Sequence, residues 1–314
     1  MENLIPIWID TDCGVDDAYA LLTALKLPNL DIKGVSAVCG NVEVSKTFIN
    51  ARNILSLAKR EDIKVYRGAE QPFEVPLSCA YDVHGVDGLG GVEVEYSEAP
   101  LETENAIDAL YNCAKACNGE LHIVSIGPLT NIATAILKYP DFLDYVKEID
   151  MMGGSIFYGG NCTTTAEFNI YCDPHGAQTV FKSGVKIVMF GLDVTTKAIL
   201  TREEIESIQD IDNPVRSFLY ESSSKPMEAY QVFGLGDVMC LHDTCPFVYL
   251  AYPDVFKGKE AGVYVETRSK ISFGRTVSDL YTRSDDLFED NSLVMLEVDR
   301  DRFAKIVLDS FNAY

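Results

Sequence analysis

Basic residues are scarce in this sequence. Its 314 residues include 26 lysines and arginines against 48 aspartates and glutamates, which gives a formal net charge of −22 at pH 7. Nucleic acids and anionic membranes bind proteins through positive patches, so this balance predicts neither as a partner. It also disfavours a polyanionic substrate, whereas a neutral small molecule meets no such barrier. By itself, the acidic total is better explained as a surface that keeps the protein in solution.

Long apolar runs are also missing. No stretch approaches the roughly eighteen uninterrupted apolar residues that a membrane-spanning helix requires. The first residues do not combine a basic segment with an apolar one, which is the pattern of a secretory signal. Because 47% of the residues are apolar and 24% are charged, the composition is typical of a globular protein with a substantial core. We expect a cytoplasmic protein.

Ligands for a zinc site of the Cys/His type are few. The chain has only four histidines, and its nine cysteines include no C-x-x-C pair. Cys113 and Cys117 lie four residues apart on a predicted helix, a spacing that favours core packing over metal binding. We expect reduced and mostly buried thiols, as is usual for proteins of the cytosol.

Short apolar runs rich in β-branched residues alternate with longer stretches of helical periodicity. This alternation is typical of an α/β fold in which a mostly parallel, Rossmann-like central sheet carries helices on both faces. No low-complexity linker or repeat divides the chain, so we predict a single domain over residues 1–314. The predicted strands are residues 6–10, 32–39, 63–66, 121–126, 148–152, 186–191 and 292–298. The predicted helices are residues 16–27, 44–59, 104–117, 129–139, 173–183, 244–251 and 301–313, with a further helical region over residues 202–230.

Polar clusters follow five of the predicted strands. Ligands of open α/β sheets gather at the carboxyl ends of the strands. Because these clusters share that edge, we expect them to form one site. They are residues 10–17, Gly40-Asn41, residues 127–131, Gly153-Gly154 and Asp193.

The densest cluster is the octet Asp-Thr-Asp-Cys-Gly-Val-Asp-Asp at residues 10–17. Four carboxylates in so small a volume repel one another unless a positive charge lies among them. A hard divalent cation, which accepts several oxygen ligands, is the simplest candidate, so the octet predicts a metal site. The plainer alternative is that Asp16 and Asp17 only complement the dipole of the helix that they open, at about 0.3–1 kcal/mol.

The octet resembles the D-x-D-P-G-x-D-D signature of the nucleoside hydrolases of the inosine-uridine-preferring type. Cys13 and Thr244 stand where that family usually has proline, but the four octet carboxylates and Asp243 are kept. Further matches follow in the family's order over residues 8 to about 250. They are Gly40-Asn41, His84-Gly85, residues 127–132, Met152-Gly153-Gly154, Asn161, residues 166–169 and His242-Asp243.

The resemblance implies a calcium-dependent N-ribohydrolase that cleaves the N-glycosidic bond of ribonucleosides to ribose and free base. Calcium suits this reaction because it accepts about six to eight oxygens in loose geometry, so that a ribose diol and a water can bind together. Asp12 would also act as general base toward the water, and Asp10 would orient the ligands from behind. The implied calcium ligands are Asp12, Asp17, Asp243 and the backbone carbonyl of Ile126. The implied partners of the ribose hydroxyls are Asp16, Asn41, Asn161, Glu167 and Asn169.

The same resemblance places Met152 against the sugar face and two histidines beside the base. His242 is the candidate proton donor to the departing base, and His84 would contact the base as well. Tyr230 could stack on the base or hydrogen-bond to it. Four aromatic residues compete with Tyr230 for this role, namely Tyr220, Phe233, Phe157 and Tyr158.

Two other functions fit part of the pattern. A phosphatase of the haloacid-dehalogenase type also carries two aspartates after its first strand, as at Asp10 and Asp12, but it needs a lysine and a phosphate cradle that the motifs here do not supply. A catalytically silent nucleoside- or ribose-binding protein on the same fold would keep the sugar contacts without turnover.

Base preference and assembly are less well defined by the sequence. A purine-specific enzyme is expected to stack its base on tryptophan, and the only tryptophan, Trp8, lies inside the first predicted strand. This position favours pyrimidine or broad inosine-uridine use. The resemblance also implies a homodimer or homotetramer.

Overall fold

The computed structural model describes residues 4–281 and 289–314. Its strands are β1 Ile5–Thr11, β2 Leu30–Ala37, β3 Val65–Arg67, β4 Leu121–Ser125, β5 Val146–Met152, β6 Ile187–Phe190, β7 Ile199–Thr201, β8 Val238–Cys240, β9 Phe256–Ala261, β10 Val263–Val265, β11 Thr276–Ser278 and β12 Ser292–Val298. Its helices are α1 Val15–Ala24, α2 Val44–Leu57, α3 Tyr81–His84, α4 Ala106–Cys117, α5 Thr130–Lys138, α6 Phe168–Cys172, α7 Pro174–Phe181, α8 Leu192–Thr195, α9 Arg202–Ser207, α10 Pro214–Ser222, α11 Ser224–Val232, α12 Cys245–Ala251 and α13 Arg300–Asn312. Short 3-10 turns lie at Phe142–Tyr145 and Pro253–Val255.

A sheet of eight strands forms the centre, in the order β3-β2-β1-β4-β5-β6-β12-β9. All its neighbouring strands are parallel except β12 and β9, which pair antiparallel. The chain builds outward from β1 through β2 to β3, then returns to the other side of β1 with β4. This reversal puts the topological switch point between β1 and β4, where ligands of open α/β sheets bind.

Strand β1 is buried on both faces, because a separate hydrophobic core packs against each side of the sheet. Ile7 and Ile9 point into one core, and Trp8 points into the other. Trp8 donates from its indole nitrogen to Ser36 Oγ at 2.8 Å and stacks on Tyr66 with 5.4 Å between the ring centres. The continuous apolar run of β1 thus reflects two-sided burial, and Trp8 is part of the core.

The predicted α/β class and its mostly parallel sheet are confirmed, and most element ends shift by one to three residues. The continuous helical region over residues 202–230 is wrong. Asn213 caps α10 by accepting from the amides of Val215 and Arg216, and Pro214 cannot continue a preceding helix. The region therefore contains the three helices α9, α10 and α11.

Several short elements were not predicted. The two-stranded ribbons β7–β8 and β10–β11 and the edge strand β9 have three to six residues each, too few to show a hydrophobic period. The nine cysteines are free, and five of them are buried. Among the described residues, no helix combines the length and the apolar character that crossing a membrane requires.

Candidate active site

A tight turn at the end of β1 brings the octet carboxylates together. Gly14 caps α1, and its amide donates to Asp17 Oδ2 at 2.9 Å. A side chain at Gly14 would collide with His84 and with Asn41, so the turn requires glycine. Asp243, which precedes α12, joins the cluster through its amide, which donates to Asp16 Oδ2 at 3.3 Å. The carboxylates of Asp10, Asp12, Asp16, Asp17 and Asp243 are all buried.

Asp12 lies at the centre of the cluster. The amide of Asn41 donates to Asp12 Oδ2 at 2.8 Å, whereas Asp12 Oδ1 has no hydrogen-bond partner among the residues that the structure describes. A side chain at Gly40 would collide with the Asp12 carboxylate, and one at Gly127 would crowd it. Two glycines from neighbouring loops therefore make room for this carboxylate at the switch point.

Asp17 is held by several donors. Thr11 Oγ1 donates to its Oδ1, and the side-chain amide of Asn41 donates to its Oδ2 at 3.0 Å. Asn41 thus bridges Asp12 and Asp17 through its backbone and side-chain nitrogens. This bridge fixes both carboxylates next to each other.

Asp10 lies one layer further back, inside the sheet. Its Oδ1 accepts from Ser36 Oγ and from Asn131 Nδ2, the latter at 2.7 Å. Burial raises the pKa of Asp10 to about 7 despite these two donors. Asn131 also accepts from the amide of Ala69, so it ties the loops after β3 and β4 to the end of β1.

The cluster carries more negative charge than the surrounding donors can offset. Burial, followed by repulsion from neighbouring aspartates, raises the pKa of Asp12, Asp16 and Asp243 well above the usual range for a carboxyl. Asp16 Oδ1 resembles Asp12 Oδ1 in having no hydrogen-bond partner within the described ranges. Buried oxygens without donors, among carboxylates that repel one another, fit a hard divalent cation by the chemistry of their donor atoms.

The wall of the site next to β5 is built around Glu167. Its carboxylate caps α6 by accepting from the amides of Asn169 and Ile170, and it accepts from the amide of Gly154 at 2.8 Å. Burial raises its pKa to about 7. Asn169 donates from Nδ2 to the carbonyl oxygens of Ile126 at 3.1 Å and Met152 at 3.2 Å. These bonds link the ends of β4 and β5.

Asn161 differs from these neighbours because it is exposed. Its Oδ1 accepts from the amide of Phe168 at 2.9 Å, so it lies at the start of α6 on the rim of the site. Met152 is buried, and its sulfur lies 3.5 Å from Asn169 Nδ2. Next to this wall, Asp193 accepts from three successive backbone amides, of residues 156–158.

Two histidines lie on the other side of the cluster. The amide of Val15 donates to His84 Nδ1 at 3.1 Å, so the neutral ring carries its proton on Nε2 and can donate from there. His242 Nδ1 lies 2.8 Å from Thr195 Oγ1. Burial lowers the pKa of each histidine to about 4, so both rings are neutral at pH 7.

Tyr230 contacts His242. Its ring meets the His242 ring edge to face, with 5.9 Å between the centres. Tyr230 is buried, whereas the competing residues Phe157, Tyr158 and Phe233 are exposed. This contact favours Tyr230 over these three candidates.

A second group of ionisable residues lies on β4, on β5 and just before β6. His122 Nδ1 is 3.2 Å from Asp150 Oδ2 and 3.3 Å from Glu148 Oε1, and these ligand atoms are close enough to hold a metal ion. Lys186 also pairs with Glu148 at 2.5 Å. Burial lowers the pKa of His122, but the two carboxylates outweigh it and raise that pKa to about 9. Two positive charges thus balance two negative ones without a metal.

The family follows from comparison with known proteins. A family model described as inosine-uridine preferring nucleoside hydrolase matches residues 7–305. The pyrimidine-specific ribonucleoside hydrolase RihA of Salmonella typhi is 38% identical over 311 residues, with 99% of each chain covered. The chain belongs to the inosine-uridine preferring nucleoside hydrolase family. Its reaction is the hydrolysis of the N-glycosidic bond of ribonucleosides.

Solved nucleoside hydrolases share the fold. The plant nucleoside hydrolase PpNRh1 is 31% identical with a TM-score of 0.91, and the match covers 98% of this chain and 99% of that one. A purine-preferring ribonucleoside hydrolase from Gardnerella vaginalis is 29% identical with a TM-score of 0.91, and 98% of each chain is covered.

The fold of this nucleoside hydrolase brings most of the residues predicted from the sequence into one region. Hydrogen bonds join Asn41 to Asp12 and Asp17, and Asp243 to Asp16. His84 accepts from Val15 within the octet, Asp10 lies behind the cluster, and His242 directly precedes Asp243. Ile126, Met152, Glu167 and Asn169 form the adjoining wall, and Asn161 lies on its rim.

Sequence reasoning missed the residues that support this nucleoside hydrolase site from behind. Ser36 could have been found, because it lies directly opposite Asp10 in the pairing of β1 with β2. Thr11, which holds Asp17, lies within the octet itself. No sequence pattern points to Thr195, because it is distant from His242 in sequence and contacts it only in the folded structure.

Proposed function

We propose that this enzyme is a calcium-dependent N-ribohydrolase in which Asp12 is the general base. Asp12, Asp17, Asp243 and the carbonyl oxygen of Ile126 would hold the ion. When bound, calcium would offset the repulsion among these carboxylates and act as a Lewis acid toward water and ribose oxygens. The observation that carries the proposal is the buried cluster of mutually repelling carboxylates, in which Asp10 Oδ2, Asp12 Oδ1 and Asp16 Oδ1 have no hydrogen-bond partner among the described residues.

Asp12 is suited to accept a proton from the attacking water. Its Oδ2 is occupied by the Asn41 amide, which leaves Oδ1 available for a proton. Asp10 lies behind it, and its bonds to Ser36 and Asn131 hold the end of β1 in place. A fixed carboxylate next to a water needs only modest basicity to assist its attack.

The ribose would be held by acceptors and amides around the cluster. Asp16 offers its Oδ1, which has no partner within the described ranges, and the exposed Asn161 offers its side-chain amide at the rim. Asn41, Glu167 and Asn169 are already engaged with other protein groups, but a carboxylate or carbonyl oxygen can accept more than one hydrogen bond. Met152 would contact the sugar face beside them.

The base would lie toward the two histidines. His84 Nε2–H is fixed as a donor by the Val15 amide, and His242 is the candidate proton donor to the departing base. Tyr230 lies against His242 and would contact the base through its ring or hydroxyl. Trp8 is buried in the core and is not available for stacking.

We also propose that pyrimidine ribonucleosides are the preferred substrates. The similarity to the pyrimidine-specific relative RihA, at 38% identity, supports this preference. A homodimer or homotetramer is the expected assembly, and light scattering of the purified protein would measure it.

Removal and return of the metal ion test the proposal. The protein is dialysed against a chelator, divided, and given calcium or magnesium, and free ribose is measured with uridine, cytidine, inosine and adenosine. We expect the metal-free sample to be inactive, calcium to restore turnover, and uridine or cytidine to react fastest. Full turnover after chelation, with no bound metal by elemental analysis, would contradict the metal requirement.

Thermal unfolding gives a second readout that does not depend on turnover. If calcium raises the unfolding temperature and uridine binds, but no ribose appears after long incubation, the silent binding protein is the better description. Release of phosphate from a phosphomonoester would instead favour the phosphatase.

A further inference from the structure

Lys225 brings a positive charge to the histidine side of the site. It lies in the first turn of α11, and its Nζ comes within 3.4 Å of the place where a side chain at Gly85 would begin. Gly85 directly follows His84, and the Lys225 charge acts on the His84 ring. Lys225 forms no ion pair within 4.0 Å among the residues described here, and in a chain of net charge −22 such a cation is notable.

Helix α11 reaches both histidines. Lys225 approaches His84 near the start of the helix, and Tyr230 contacts His242 further along it. The loop after His84 also packs on the end of α10, where a side chain at Gly90 would meet the carbonyl oxygen of Ser222. The position of Lys225 is therefore fixed relative to the part of the site that would receive the base.

The departing base needs positive charge more than the sugar does. When the bond between C1′ and the base nitrogen breaks, its electron pair remains on the base. The water oxygen bonds to C1′ and Asp12 takes one water proton. The base takes up one proton and Asp12 returns its own to the solvent, so that nucleoside and water give ribose and base. Uracil spreads the negative charge over two carbonyl oxygens, whereas cytosine has one carbonyl and an amino group and depends more on protonation.

We propose that Lys225 is a specificity-determining residue that favours bases leaving as oxygen-bearing anions, uracil above cytosine. This inference rests on the proposed ribohydrolase function and deepens it. Asp87 Oδ1 lies 2.8 Å from the same point above Gly85. That carboxylate accepts from the amides of Leu89 and Gly91, so it is held in its own loop. Asp87 is thus bound within its own loop rather than paired with Lys225.

Replacement of Lys225 tests the inference through the leaving group. The values of kcat/KM for uridine, cytidine and 5-fluorouridine are compared in wild type, Lys225→Met and Lys225→Arg. We expect Lys225→Met to lower the uridine value roughly tenfold, less than the loss of a direct oxyanion donor, because Lys225 is half-buried and acts at longer range. Cytidine should lose less than about threefold. The loss for 5-fluorouridine should be smaller than for uridine, because its base is a better leaving group.

Two control variants distinguish the effect of the Lys225 charge from the effect of its packing. Lys225→Arg keeps the charge and should restore most of the uridine preference. Lys305→Met removes a lysine paired with Asp309 on α13 and should leave the ratio unchanged. Equal losses for uridine and cytidine in Lys225→Met, or no loss at all, would overturn the inference. Failure of the wild type to release any base would instead refute the proposed function.

Discussion

Two groups of buried carboxylates lie on the same parallel sheet, and they differ in how their charge is balanced. In the first group, Glu148 and Asp150 of β5 are paired with His122 and Lys186. Asp150 lies opposite Val124 of β4, and the next residue of β4, Ser125, lies opposite Asp10, so Asp150 is only one residue from the octet along the strand direction. In the second group, at the carboxyl ends, five aspartates share only neutral donors. Asp10 Oδ2, Asp12 Oδ1 and Asp16 Oδ1 have no hydrogen-bond partner among the described residues, and Asp150 Oδ1 of the first group also has none.

This difference is the reason for proposing the aspartates, rather than the His122 group, as the metal site. A self-neutralised network gains nothing from an added cation and would have to give up a proton or an ion pair to accept one. The uncompensated cluster is the opposite case, because its ionised form is stable only with a positive charge from outside. The ligand atoms of His122, Glu148 and Asp150 lie close enough together to hold a metal ion, but the charge balance favours the aspartates as the metal site.

The largest contrast should appear in turnover. Asp12→Asn removes the proposed base without changing the size of the side chain, and we expect kcat/KM for uridine to fall roughly 10³- to 10⁴-fold. Glu148→Gln is the matched change in the other group and should leave turnover within about twofold. Circular dichroism would verify that both variants fold. Near-wild-type turnover of Asp12→Asn would show that another group takes the proton.

The second contrast concerns calcium binding measured without substrate. At a calcium concentration 100 times its dissociation constant, the wild type should gain about 2.7 kcal/mol in the free energy of unfolding. Asp17→Asn should lose most of this gain, because it removes a proposed ligand, whereas Asp150→Asn should keep it. Chemical denaturation with and without calcium measures the difference. An equal calcium effect in the two variants would place the binding site elsewhere.

In a third contrast, two matched substitutions should change the stability of the metal-free protein in opposite directions. Asp16→Asn relieves repulsion within the octet, so we expect stability to rise by about 1–2 kcal/mol. Asp150→Asn removes a partner of His122 and should lower stability by about 1–3 kcal/mol. Urea unfolding at pH 7.5 with a chelator present gives both values. Destabilisation by both changes would mean that the octet is already balanced without an ion.

The sequence was sufficient to predict the sheet and the acidic cluster, for physical reasons that differ. Buried parallel strands such as β1 are continuous apolar runs, and the carboxylates that follow them meet at one edge. The prediction of one helical region over residues 202–230 overlooked Asn213-Pro214, which starts a new helix there. The balancing of His122 by Asp150 could not be predicted, because it arises from the register of β4 against β5 and leaves no local pattern.

The smallest effect is a pH dependence of stability that belongs to His122. Its pKa is about 9 in the folded protein, against about 6.5 in the unfolded chain. The charged His122 and its carboxylate partners therefore stabilise the fold fully below the unfolded-state pKa of about 6.5. This stabilisation is lost as the pH rises through the folded-state pKa of about 9. Burial raises the pKa of Asp150 to about 6, so Asp150 titrates below the range from pH 7 to 9 in which His122 loses its proton. Relative to His122→Gln, the wild type should lose about 1–2 kcal/mol between pH 7 and 9 in urea titrations. A parallel profile for the two proteins would show that His122 carries no charge in the folded state.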